Sequence, residues 1–462
     1  MTLSNLTTTQ IAALPTATIA SLSTTTVAAL AITQVAALTK AEVAAINTTD
    51  LGVLASTQIA ALTTAALLGL TSTEIGALTS TAVAGFTSVQ LAALSTLAIP
   101  EFQTTEIGAL TTTQLAGLSA AEVAALSTTE ASALTTTQLG ALTTAQVKGL
   151  TTAQVAALTS TQIGGLTSGQ LAAFTAGQVA AISTADAPSL TSTQLAGLST
   201  TGAGALTSGQ VAALTSTAAD SLSSAQLAAL TTRGIAGLSS TEVGGLTTTQ
   251  LGGFGSAQIA ALNTTQLGAV TTTQLGALTT AQVKGLTTAQ VAALTSTQIG
   301  GLTSGQLAAF TAAQVAAIST ADAPSLTSTQ LAGLTTLGAA SLSTAQVMAL
   351  TSTDVLALST AQLAALTTAA VGALTTTEVN GLGTGQLVAL TTAQIAAIST
   401  AAIAALSTTQ VQDLTTAQIP ALTTAQIFGL TTTEVGALTA TQTAALTTVQ
   451  LAAMTTAQIG AL

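Results

Sequence analysis

The amino-acid sequence predicts an all-α solenoid, a superhelix of very short capped helices with one helix per eight-residue repeat. Three observations predict it. An apolar anchor (Leu, Ile, Val, Phe or Met) recurs every eighth residue from Leu6 to Leu462 without an insertion or deletion, giving 57 octads that read Leu-Thr-Thr-x-Gln-Val/Ile/Leu-Ala-Ala. Such a fixed period sets the architecture ahead of any local propensity. One place after the anchor stands Ser or Thr in 49 octads, and four places after it stands Gln, Glu or Asp in 46. Finally, eight residues at 100° each overshoot two full turns by 80°, so one continuous helix would carry its apolar stripe around the axis. The chain must break and restart in every octad.

Each position of the octad then has a reason. With the anchor as position 0, the Ser or Thr at position 1 is a helix N-cap. Asn47, Asn263, Gly255 and Gly383 are acceptable substitutes, while Pro15, Ala31, Ala55 and Gln103 are exceptions. The Gln or Glu at position 4 lies three residues past the cap, the spacing of a reciprocal capping box. Twelve of the fifteen acids occupy position 4, in the first turn, where the positive end of the backbone dipole favours them. A helix over positions 2 to 7 or 8 puts position 5 and the next anchor on one face, as for Val155 and Leu158. Position 6 reads as the outer face, because it accepts Lys148, Lys284, Gln412, Asn380, Asp220 and Phe428. Position 7 is small, so neighbouring helices can approach closely. Two large apolar side chains cannot offset the ordering of eight residues, so an octad is stable only in a stack.

Pro100, Pro188, Pro324 and Pro420 occupy position 6, where an α-helix needs an N–H. They predict that those octads are closer to a 3₁₀ turn, or else that the repeat is β. A β-solenoid is the rival fold, since Thr, Val and Ile favour strands. Against it, the five-residue spacing between positions 0 and 5 would place the two large residues on opposite strand faces.

The domain expectation is a single rod-like array over residues 1–462, with the number of octads per turn left open. Residues 135–198 recur as 271–334 with one difference, Gly177 against Ala313. The offset of 17 octads is odd and would have exchanged any alternating roles, so the octads are equivalent units. Ending in mid-pattern on Leu462 suggests a segment of a longer array, and the start has neither the basic nor the apolar region of a signal peptide.

Composition narrows the function. The chain has no Cys, His, Trp or Tyr, which removes the common nucleophile–base pairs, soft metal ligands and aromatic stacking platforms. A net charge of −11 is the wrong sign for nucleic acid or an anionic membrane. Despite a mean hydropathy of +0.70, no apolar run approaches the ~20 residues of a membrane span. The expectation is therefore no enzyme, with no catalytic, cofactor or metal site. The position-4 acids could form a cation row, but capping is their simpler role. Lys148 and Lys284 read as solvated charges and Glu101, Asp220 and Asp413 as local irregularities. Phe86, Phe102, Phe174, Phe254 and Phe310 read as larger core fillers. Asn5, Asn47 and Asn263 begin N-glycosylation sequons.

The tracts at 150–158 (LTTAQVAAL) and 134–142 (LTTTQLGAL) resemble octad arrays of very large bacterial surface or secreted proteins, adhesin-like and often labelled "heme utilization or adhesion". The resemblance spans essentially the whole chain and implies an extracellular, filamentous or adhesive role. It does not extend to haem, for which there is no His, Cys or Tyr ligand. The expected function is a structural repeat protein forming an extracellular rod, stalk or filament. The alternatives are an adhesin or surface-binding array, and an ice- or mineral-binding Thr surface if the repeat is β. Self-association or lateral packing of rods and contact with a cell or abiotic surface are the expected partnerships.

Overall fold

A computed structural model describes residues 3–462. Among them the chain forms 53 α-helices of four to six residues and five 3₁₀ turns, with no strand. The β-solenoid is thereby excluded, and with it the flat threonine ladders that an ice- or mineral-binding surface needs. The helix wins because position 1 caps and position 4 answers the cap in nearly every octad.

The octad beginning at Leu134 shows the local rule. Thr135 is extended (φ −70°, ψ 159°) and the helix Thr136–Ala141 follows. The Gln138 backbone N–H donates to Thr135 Oγ1 at 3.2 Å, and the Thr135 backbone N–H donates to Gln138 Oε1 at 2.7 Å. The helix ends because Leu142 is itself extended (φ −62°, ψ 139°), ahead of the next cap. Two extended residues thus connect successive helices, and no described residue has positive φ. Where position 1 lacks an oxygen, half of the box survives: the Ala31 and Ala55 N–H groups still donate to Gln34 and Gln58 at 3.0 and 2.8 Å.

Anchors and position-5 residues are buried along the array, as at Leu139, Leu142, Val155 and Leu158, while position 6 is mostly exposed. Phe86 and Phe102 meet edge to face in this interior, ring centroids 6.2 Å apart. Two compact units are distinguished, one ending at Leu238 and one spanning Ser239–Leu462. Within each unit, helices three octads apart pack together, for example Ala120–Ala125 with Thr144–Gly149 and Thr368–Gly372 with Thr392–Ala397. Position 7 is small for this reason: a Cβ on Gly117 would lie 2.1 Å from the Ser88 carbonyl oxygen, and one on Gly85 would lie 2.3 Å from that of Ser56.

The four prolines behave as their position predicts. Each lies in a 3₁₀ turn, at Ile99–Glu101, Ala187–Ser189, Ala323–Ser325 and Ile419–Ala421. A tighter turn does not require the missing N–H.

Candidate functional site

The recurrent polar centre of the fold is the position-4 side chain, and it does more than cap. Gln138 is buried, and its Nε2 donates to the carbonyl oxygens of Ile107 (3.1 Å), Gly108 (3.1 Å) and Leu110 (2.7 Å). Those carbonyls end the helix four octads earlier. In the second unit, Gln362 repeats the bonds to Leu331, Ala332 and Leu334 at 2.8, 3.4 and 2.7 Å. One amide therefore satisfies the start of its own helix with its oxygen and the end of a neighbouring helix with its nitrogen. Both sets of groups lack partners inside so short a helix. Helix packing three octads away and amide bonds four octads away place between 24 and 32 residues in one superhelical turn, as i±3 and i±4 contacts bracket the turn of an α-helix.

Substitutions at position 4 follow from reach and chemistry. Gln418, in a proline octad, keeps every bond of the joint: it accepts from Thr415 N–H at 2.9 Å and donates to Leu387, Val388 and Leu390. Asp186 is one methylene shorter than Glu. It instead receives the hydroxyls of Ser183 (2.5 Å) and of Ser160, three octads earlier (2.6 Å), and Asp322 does the same with Ser319 and Ser296. Glu122 accepts from the Ser119 N–H at 2.6 Å but has no donor for the neighbouring helix end.

The other sequence candidates fall on the outside or in packing roles. Among the described residues no three acidic side chains come together in a group that could hold a metal ion. Asp413, at position 7, accepts from the Thr384 hydroxyl at position 2 of an octad three repeats earlier (2.6 Å). Asn47 and Asn263 use their side-chain oxygens as caps, and Asn47 Nδ2 also donates to Asp50. The larger anchors Phe174 and Phe310 are buried. Lys148 and Lys284 are exposed, and each borders a shallow groove of about 430 and 540 Å³ respectively. The grooves share the equivalent threonines and alanines Thr144, Ala173 and Thr175, and Thr280, Ala309 and Thr311. An amine among hydroxyls and methyls offers one cationic hydrogen-bond donor and no nucleophile–base pair. No described helix is long and apolar enough to cross a membrane.

A stack of octads that each bond to units three and four repeats away defines a helical repeat-array protein. The family model of the ALTTAQ repeat matches in ten tandem stretches, at residues 43–80, 132–168, 144–176, 179–216, 235–272, 246–280, 271–304, 349–384, 379–416 and 414–448. These cover more than half of the chain, which belongs to the ALTTAQ repeat family. Neither a curated protein nor a solved structure matches it.

The donor role of the position-4 amide is absent from a reading of the sequence as caps alone. A signal for it exists: a cap near a helix N-terminus favours Glu at least as well as Gln, yet Gln far outnumbers Glu at position 4. The surplus records the need for an N–H at the far end.

Proposed function

We propose that the chain is a structural spacer, an elongated extracellular rod, stalk or filament segment. The observation that carries this reading is the position-4 joint: every octad that has it bonds to one four repeats earlier through the same atoms, so units can be added without a new kind of interface. The resemblance of the tracts at 134–142 and 150–158 to surface-protein arrays supports the extracellular placement. Negative-stain electron microscopy of the purified chain tests the shape. Elongated particles are expected, and compact globules would refute the proposal. Protease treatment of intact producing cells tests the location, with loss of the chain expected and full protection contradicting it.

An adhesin or surface-binding array is the second reading. It is favoured by the lysine-bearing grooves, which carry two of the four basic residues of the chain. Retention of the isolated chain on a cell surface, reduced in a Lys148→Ala/Lys284→Ala double variant, is the expected result. Equal retention of both proteins would remove the grooves from the account.

A further inference from the structure

Lys284 is the single charged residue between Glu242 and Asp322, and its duplicate Lys148 is the single one between Glu130 and Asp186. The octads packed or hydrogen-bonded against that of Lys284, three and four repeats away at 247–262 and 303–318, therefore hold no acid to neutralise it. What they offer is hydroxyls and methyls. In the groove of about 540 Å³ beside Lys284 stand Thr311 and Thr335. Each accepts a backbone N–H on Oγ1, from Gln314 at 3.2 Å and from Gly338 at 3.0 Å, and among the described residues no acceptor takes its hydroxyl proton. Thr327, by contrast, donates its hydroxyl to Gln330 Oε1 at 3.1 Å. Thr335 has no such acceptor because Gly338 stands where the amide would be. The apolar wall of the groove is Leu337, 68% exposed, with the methyls of Ala281 and Ala312.

A cation and two free hydroxyl donors beside an exposed isobutyl group complement one carboxylate that carries an apolar tail. We propose that the Lys284 groove binds a dissolved organic anion of this kind, its carboxylate on the Lys284 ammonium and the Thr311 and Thr335 hydroxyls and its tail on Leu337. The inference rests on the second reading above, that the lysine grooves are binding surfaces, and names the ligand class and which groove takes it. The net charge of −11 does not oppose it, because the acids lie outside the neighbouring octads and salt at physiological strength screens charges beyond about 8 Å. The Lys148 groove is an internal control. It is smaller, about 430 Å³, the Thr175 hydroxyl already donates to Gln178 Oε1 at 3.2 Å, and Thr201 stands at the position equivalent to Leu337.

An NMR titration of the full chain with isotope-labelled lysine tests this, because Lys40, Lys148 and Lys284 are its only lysines and each reports on its own surroundings. Sodium octanoate, kept below its micelle concentration, is expected to shift the Lys284 signal saturably at about fivefold lower concentration than the Lys148 signal, the weight of one partly covered leucine. Leu337→Thr, at an exposed site whose equivalent is already Thr201, is expected to abolish that difference without unfolding the chain. Acetate, which has no tail, should move the three lysines alike. Equal responses of all three lysines to octanoate, acetate acting on Lys284 as strongly as octanoate, octanol shifting the Leu337 methyl signals as strongly as octanoate, or an unchanged Lys284 response in Leu337→Thr would overturn the proposal. Retention on cells measures the whole chain against a surface, so that reading and this one fail by different results.

Discussion

Replacing Gln154 by Glu isolates the donor half of the joint. Gln154 is 1% exposed. Its Oε1 accepts from the Thr151 N–H at 2.7 Å, and its Nε2 donates to Val123, Ala124 and Leu126 at 2.9, 3.4 and 2.6 Å. Glutamate keeps the first interaction, as Glu122 and Glu130 demonstrate in neighbouring octads, and loses the second. Two good hydrogen bonds contribute about 1 kcal/mol each, and buried carbonyls left facing an acceptor cost about as much again. The expected loss is therefore about 2–4 kcal/mol at alkaline pH. The assay is hydrogen exchange resolved by segment, because a stack of repeats can open locally. Amides of 123–126 and 151–158 should exchange about 30- to 1,000-fold faster, at a factor of ten per ~1.4 kcal/mol, while distant octads stay unchanged. A change below about threefold would mean that the amide bonds across the turn contribute nothing, and the reasoning would fail.

Other perturbations separate the remaining contributions. Thr151→Ala removes the Oγ1 that accepts the Gln154 N–H at 3.1 Å and should cost about 1 kcal/mol in denaturant unfolding. Gly117→Ala places a methyl against the Ser88 carbonyl and should cost about 1–3 kcal/mol through overpacking. Gly169→Ala has no atom within 4 Å of the new Cβ and, lying in the helix Ser168–Ala173, should gain about 0.5–1 kcal/mol; opposite signs for these two glycines are the check. Leu139→Ala empties a fully buried interior site and should cost about 2–5 kcal/mol by the same measurement.

Much of the fold is legible because each octad states it locally. The cap at position 1, the answering residue at position 4 and the inward pair at positions 5 and 8 are short-range facts, and the structure forms them as written at Thr135, Gln138, Leu139 and Leu142. The prolines were legible only in part: Pro188 and Pro324 ruled out a regular α-helical octad but left a 3₁₀ turn and a β repeat open, and the structure forms the 3₁₀ turn. The number of octads per turn was not legible, since it depends on which helix end lies beside Gln138 or Gln362, and equivalent octads carry no label to say so. The burial of the position-4 amide followed the same course. Its oxygen serves a residue three places away, whereas its nitrogen serves residues 28 to 31 places away. For the candidate residues the sequence was informative about roles within one octad and silent about partners. Asp186 and Asp413 find serine and threonine hydroxyls from other turns that no spacing rule selects.

The central claim is that the chain returns to itself every three to four octads and that the position-4 amide closes the return. The direct measurement is an NMR nuclear Overhauser experiment on the side-chain amide protons of Gln154, assigned by their loss in Gln154→Glu. Cross-peaks to the Val123–Leu126 segment, together with slow exchange of those protons, are the expected result. Cross-peaks confined to the Gln154 octad and its sequence neighbours, with rapid exchange, would contradict it.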